Sequence, residues 1–414
     1  MKDKLWKTIS VGIIGNILEW YDFIIYGYLS AVIAPLFFPH SDPTISLIST
    51  YCVFAVGFIM RPLGAILFGH FGDRFGRKPA LMISLLMMAI PTLAMGCLPT
   101  YSQIGILAPL LLMICRLVQG LSVGGEYTSS IVYLVEHSPP NRKGFAGSFV
   151  LVGAGLGWLL GSFVASQTLW GWRIPFLLGG LTGLFGLLLR QFATETSPFT
   201  ALKQSQKVLQ NPIREVLFNQ KATLCLVIGL NLLSTVAGYL IYAYMPTYLH
   251  REAGIPLSDA LMINTIMLLI FVILVPLVGW LSDKVERVKL LFLGAVGFLC
   301  LSYPLFLMLH LQSVPLIVTS LLIMTVLIAL YHAPLPTIMA EIFPIETRAN
   351  SVGLSYNLAA SLFSGTCPLM CTLMIQFTGS NLSPAYYLIL VSLISGATAL
   401  VATINIGKVA LQKN

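Results

Sequence analysis

Apolar runs of about 20 residues recur along the whole chain, separated by short polar stretches. Each run is long enough to cross a ~30 Å hydrocarbon core as a helix. Twelve are read, at about residues 9–37, 46–70, 80–98, 104–136, 144–168, 174–192, 222–249, 259–281, 290–309, 314–341, 351–376 and 385–406. The longest polar interval, 193–221, divides them six and six. The pattern predicts an all-α integral membrane protein of twelve transmembrane helices in two pseudo-symmetric six-helix bundles. Residues 1–192 would form the N-terminal bundle, 193–221 a cytoplasmic linker and 222–414 the C-terminal bundle. Within the interval, SPFTALKQSQKVLQNPIREVLF spaces apolar residues among basic ones. That suits either a short amphipathic helix on the membrane surface or a simple tether. The first apolar run is too long, and too polar in its middle, for a cleaved signal.

Composition agrees: 57% of residues are hydrophobic and 9% are charged, against about 25% charged in soluble domains. The net charge of +8 would suit nucleic acid, but its distribution does not. The loops of one side hold nearly every Lys and Arg. The exceptions are Arg173 and Arg251 on the other side, and Arg61 and Arg116 within spans. The positive-inside rule then puts both termini in the cytoplasm, and the basic balance reflects topology. The seven cysteines all lie in apolar runs without a CxxC pair, so they read as reduced small hydrophobes, neither metal ligands nor disulfides.

The halves echo each other. FGHFGDRFGRK (68–78) follows the second span and VGWLSDKVERVK (278–289) the eighth, with Gly69 and Asp73 spaced as Gly279 and Asp283. Glu136, Pro139 and Arg142 after the fourth span are answered by Glu341, Pro344 and Arg348 after the tenth. Two echoes at nearly one offset indicate duplication, as in secondary transporters. Here the residues also resemble a family. GHFGDRFGRK is similar to the loop signature of the major facilitator superfamily. GNILEWYDFIIYG, RPLGAILFGHFGDRFGRK, RLVQGLSVGGEY, GWRIPFLLGG and AEIFPIETRANSVGLSYN resemble its metabolite:proton symporter branch, over nearly the whole chain. YMPTYL (244–249) and SPAYYL (383–388) look most like the proline/betaine members. The second loop signature departs from the pattern at Val285 and Glu286, and the tail after the last span is only a few residues, without the coiled coil of some osmosensing relatives. The resemblance implies a proton-coupled symporter of the cell (inner) membrane, a small organic substrate, no cofactor and no metal; the expected unit is a monomer.

A charge at mid-membrane costs at least ~2.5–3.5 kcal/mol, so it faces a cavity or a partner. At 1.5 Å per residue, Glu19 lies ~15 Å from one face and Arg116 ~18 Å from the other, with Asp22 a turn further out. Asn16, Glu19 and Tyr26 fall near one face of the first span; Arg116, Gln119 and Tyr127 line one face of the fourth. The two stripes suggest a shared cavity and an acid–base pairing of Glu19 or Asp22 with Arg116. A carboxylate in a low-dielectric site holds its proton, and a nearby guanidinium favours its release. Such a pair suits proton coupling; it suits a static tie between the spans as well. Arg116 would also take a substrate carboxylate. Glu126 is a second candidate proton site, or a packing bond allowed by its neighbouring glycines.

A cytoplasmic clasp is expected from Arg61, Gly69, Asp73, Arg74, Arg77, Lys78, Glu136, Arg142, Asp283, Arg287, Glu341 and Arg348, with Asp73 accepting from a helix N-terminus. The bland alternative is anchoring to anionic headgroups. The second half offers Asn231, Tyr239, Tyr242, His332, Tyr356 and Asn357. An aromatic wall there can hold an onium group or simply pack. No HExxH, GxSxG or GxxxxGK[ST] occurs, so the chain is expected not to be an enzyme and to use a gradient rather than ATP. The favoured cargo is a zwitterion or carboxylate such as proline or betaine. The alternatives are a di- or tricarboxylate symporter, a passive facilitator or a sensor.

Overall fold

The computed structural model describes the backbone over residues 2–75, 77–167, 171–191, 212–311, 313–345 and 347–411; side chains are described at 9, 13, 15–68, 82–167, 171–184, 216–311, 313–345 and 347–403. The described residues form helices joined by short turns. The spans are α1 (Gly15–Tyr28 and Ser30–Phe37), α2 (Pro43–Phe68), α3 (Met82–Cys97), α4 (Leu107–Glu136), α5 (Pro140–Ser166) and α6 (Arg173–Leu184). The second half follows with α7 (Lys221–Glu252), α8 (Leu257–Leu281), α9 (Arg287–His310), α10 (Val314–Ile342), α11 (Arg348–Thr378) and α12 (Ser383–Thr403). Of the linker interval, Pro212–Asn219 is helical and 192–211 lie outside the described residues.

Local chemistry explains the breaks. The two parts of α1 meet at 60°, where the Ser30 hydroxyl donates to the Gly27 carbonyl at 2.8 Å. Asp42 opens α2 by accepting from the Thr44 amide at 2.8 Å, with Pro43 in the first turn, the preferred start for a helix. α7 widens to π turns at Tyr239–Tyr244, and α11 does so at Ala360–Ser364. Such turns concentrate at functional sites because they rotate every later side chain off the 3.6-residue register. Gly379 ends α11 at φ 66°, a conformation open to glycine at little cost.

Glycines let the helices approach closely, as membrane helices require where no hydrophobic drive distinguishes protein from lipid. α5 uses two faces. A methyl at Gly157 would strike the Ile17 carbonyl and Trp20 of α1, and one at Gly155 would strike Phe271 and Val272 of α8. α5 therefore ties the halves together. A second seam joins α2 to α4, where Gly120 abuts the Gly57 carbonyl and Gly124 abuts Ala65. The outward surface carries exposed Leu67, Ile106, Leu277 and Leu393, which lipid tails accommodate.

Candidate substrate and coupling site

Two fully buried guanidinium groups stand in the middle of the protein, Arg61 on α2 and Arg116 on α4. Among the described residues neither is ion-paired. Aromatic rings surround both instead. Arg116 lies 4.4 Å over Phe23, 4.8 Å over Tyr26 and 5.1 Å over Phe54. Arg61 lies 5.5 Å over each of Trp20, Phe58 and Tyr356, and 5.8 Å over Phe23. A desolvated cation–π contact is worth about 2 kcal/mol, so several offset part of the cost of burial.

The expected direct pairing of Arg116 with Glu19 or Asp22 is not formed. Arg116 Nη1 donates to Gln119 Oε1 at 2.9 Å and to the Phe23 carbonyl at 3.3 Å. Gln119 passes the contact on, its Nε2 donating to Thr92 Oγ1 at 2.8 Å. The Asp22 carboxylate stands beside that hydroxyl. Asp22 thus faces α3 and α6 inside the first half; a methyl at Gly179 would run into its Oδ1, and one at Gly183 would stand 3.3 Å from its Oδ2. The Thr92 hydroxyl itself donates to the Met88 carbonyl at 2.8 Å, so Asp22 stands beside the far end of the chain that runs from Arg116 through Gln119 to Thr92. The helical-wheel reading could not see this, because it places residues by angle on their own helix and says nothing of which neighbour fills the space.

Glu19 is buried on α1 within electrostatic reach of Tyr356. Asn16 is buried where α1 meets Gly153 of α5. Tyr26 donates to the Thr50 carbonyl at 3.0 Å and stacks on Phe54. Glu126 starts a new helical segment after the break at Val123–Gly125, so its angle to Arg116 is not that of one straight helix. Tyr127 lies between Trp20 and Tyr356, at 5.5 and 4.6 Å.

From the second half come Tyr239 and Tyr242, both buried with hydroxyls that make no hydrogen bond. Tyr239 meets Phe58 at 5.2 Å and Trp158 at 5.1 Å; Tyr242 meets Trp158 at 6.0 Å. Asn231 donates to the Val227 carbonyl at 2.8 Å, and its Oδ1 makes no hydrogen bond. His332 packs on Phe271 at 6.0 Å. Asn357 joins the halves by accepting from Arg61 Nε at 3.3 Å and donating to the Gly124 carbonyl at 2.6 Å. The sequence reading passed over Trp20, Phe58, Thr92 and Trp158. Trp20 and Phe23 flank the two acids, and Trp158 closes the glycine-rich GAGLGW; both are signals that such helix faces line a seam.

Both ends of the seam are closed. At the basic end, Asp283 accepts from the Gly144 and Phe145 amides at the start of α5, at 2.7 and 2.9 Å. Lys143 pairs with Glu341 at 3.2 Å and Arg348 with Glu136 at 2.7 Å; Arg287 pairs with both Asp283 and Glu341. Lys143, adjacent to the expected Arg142, joins Arg287 in meeting Glu341. The side chains of Gly69, Asp73, Arg74, Arg77 and Lys78 lie outside the described residues. At the opposite end Arg251 donates to Thr44 at 3.0 Å, and Asn264 to Ser162 at 3.0 Å. Arg61, expected at the basic-end clasp, lies between the two gates.

The Major Facilitator Superfamily model matches residues 13–368. The proline/betaine transporter of Escherichia coli (strain K12) is 33% identical over 417 residues, covering 95% of this chain and 83% of that one. A putative proline/betaine transporter of Staphylococcus aureus (strain COL) is 34% identical over 401 residues, covering 94% and 86%. In structure, the chain is similar to a D-xylose-proton symporter, with a TM-score of 0.74, 20% identity and 95% and 96% of the two chains covered; that likeness concerns the fold. The relatives are named as transporters, not enzymes. The chain belongs to the major facilitator superfamily, as a membrane transporter.

Proposed function

We propose that this transporter is a proton-coupled symporter that imports a small zwitterion, of the proline or betaine kind, by alternating access. One observation carries the reading: a seam sealed at both ends holds a buried guanidinium beside a box of aromatic rings. A guanidinium recognises a carboxylate, and Trp20, Trp158 and Tyr239 present ring faces that suit an onium group. Trp20 and Trp158 are 5.7 Å apart edge to face. The first half supplies the guanidinium and both tryptophans, and the second half closes the box with Tyr239 and Tyr242. Separation of the halves would therefore take the site apart and expose it to one side. The names of the sequence relatives support the same cargo.

Asp22, beside the Thr92 end of the chain that runs through Gln119 to Arg116, is the proposed proton site. Ionised, Asp22 would compete with the Met88 carbonyl for the Thr92 proton, and a change in its protonation would so reach Gln119 and Arg116 without direct contact. Glu19, on the Tyr356 side, is the second candidate. The basic end faces the cytoplasm by the positive-inside rule, which places the clasp of Asp283, Lys143 and Glu341 inside. The protein would act as a monomer with its two bundles split at the 193–221 linker. The test is a thermal-shift panel on the purified protein with betaine, proline, citrate, α-ketoglutarate and shikimate, followed by uptake into proteoliposomes with an imposed pH gradient. A true ligand stabilises by its concentration over its dissociation constant; at 100-fold excess that is ~2.7 kcal/mol. Stabilisation by proline or betaine, with uptake that follows the pH gradient, is expected. Stabilisation by citrate alone would replace the cargo.

A further inference from the structure

The two arginines are not equivalent, and the difference assigns the carboxylate. Arg116 is spent on the protein. Its Nη1 is bonded to Gln119 and to the Phe23 carbonyl. Its remaining edge, Nε and Nη2, makes no hydrogen bond, but it is covered by α2. A Cβ at Gly57 would stand 3.2 Å from Nη2 and 3.4 Å from Nε. A carboxylate cannot reach that edge without prising α2 from α4, and the glycine seam at Gly57 and Gly120 holds those helices in backbone contact.

Arg61 is arranged in the opposite way. Its Nε is tied to Asn357 Oδ1 of the second half, and that amide is itself held by the Gly124 and Gly353 carbonyls. One anchored nitrogen fixes the guanidinium plane. The two Nη atoms, the pair that grips a carboxylate side-on, make no hydrogen bond although the side chain is fully buried. They lie on the seam itself, beside Trp20 and Tyr356 from opposite halves. Tyr356 lies against the guanidinium, and the buried Glu19 is within electrostatic reach of that tyrosine, yet no carboxylate is hydrogen-bonded to the fork. A buried charge without a hydrogen-bonded counter-charge is expensive, so this fork suits an anion that arrives.

We infer that Arg61, not Arg116, takes the carboxylate of the transported solute, with the onium end lodged against Trp20, Trp158 and Tyr239. The inference rests on the cargo proposed above. Trp20 is near both ends of such a solute, since its ring centre lies 5.5 Å from the Arg61 guanidinium and 5.7 Å from the Trp158 ring centre. That spacing suits a short zwitterion whose opposite charges are a few bonds apart. Because Arg61 reaches α11 through Asn357, a captured carboxylate also joins the two halves. Arg116 becomes a positioning residue, transmitting the state of Asp22 to the packing of α2 against α4.

The experiment measures binding and proteoliposome uptake of betaine, proline and choline, which keeps the onium head and lacks the carboxylate. The full-length wild type is compared with Arg61→Gln, Arg61→Lys and Arg116→Gln, each checked for folding by its melting temperature. Loss of a charge-assisted fork costs about 30-fold or more in affinity. Arg61→Gln should weaken betaine by that factor and abolish the preference for betaine over choline. Arg61→Lys, which keeps the charge without the fork, should fall between. Arg116→Gln should lower the melting temperature while changing betaine affinity less than threefold. The assignment is overturned if folded Arg61→Gln binds betaine as wild type does, or if Arg116→Gln loses the betaine preference in its place. Should wild type bind citrate or α-ketoglutarate rather than a zwitterion, the cargo reading falls and the Arg61 variants are judged on that carboxylate. Should wild type bind no carboxylate, both fall.

Discussion

Gly57 of α2 covers the open edge of Arg116 on α4, close enough that a side chain there would stand 3.2 Å from Nη2 and from the Arg116 carbonyl oxygen. The contact holds a buried cation by packing and ring faces where a salt bridge would be expected. Gly57→Ala should press α2 away from α4 by a few tenths of an ångström. Overpacking of this kind costs about 1–3 kcal/mol, read as a lower melting temperature. An unchanged melting temperature would mean that α2 and α4 slide apart easily, and that Arg116 is less shielded than described.

Asp22 beside Thr92 is the coupling acid in the proposed mechanism. Asp22→Asn should abolish accumulation driven by acid outside, yet leave exchange of internal for external solute near the wild-type rate. Accumulation in that variant equal to wild type would remove Asp22 from the role. Thr92→Val keeps the shape and cuts the link from Asp22 to Gln119. It should weaken the pH dependence of uptake, with less effect on affinity.

The two parts of the basic-end clasp differ in weight. Glu341 is 36% exposed, and pairs at that exposure contribute about 0.2–1 kcal/mol. Asp283 is 5% exposed and receives two amides at a helix start, where the dipole adds up to ~2 kcal/mol. Asp283→Asn should therefore open the basic end more than Glu341→Gln. The readout is labelling of a cysteine placed at Ser148 in a background lacking the seven native cysteines. Faster labelling in Glu341→Gln than in Asp283→Asn would reverse this ranking.

Trp158 joins α5 to the second half, against Tyr239 and Tyr242. Trp158→Leu removes a ring face worth up to ~2 kcal/mol to a desolvated cation, so betaine affinity should drop by roughly 10–30-fold. Trp158→Phe should recover part of it. If leucine and phenylalanine behave alike, the ring packs the helices without meeting the solute.

Membrane class, span number and the concentration of basic residues on one side were legible in the sequence, because each is a sum over local residues. Hydropathy requires no partner, and the charge bias lies in the order of the loops. Glu19, Asp22, Arg61 and Arg116 stood out for the same reason, as charges in apolar runs. Tertiary structure alone decided what each one meets. Asp22 turned toward α6, where Gly179 and Gly183 make room, and Arg116 closed on Gly57. The π turn at Tyr239–Tyr244 moved its aromatics off the 3.6-residue register of the helix around them. Whether a guanidinium is a strut or an open fork depends on which nitrogens its neighbours cover. Those neighbours are distant in sequence and brought close by glycines, so the difference between Arg61 and Arg116 appears only once the helices have packed.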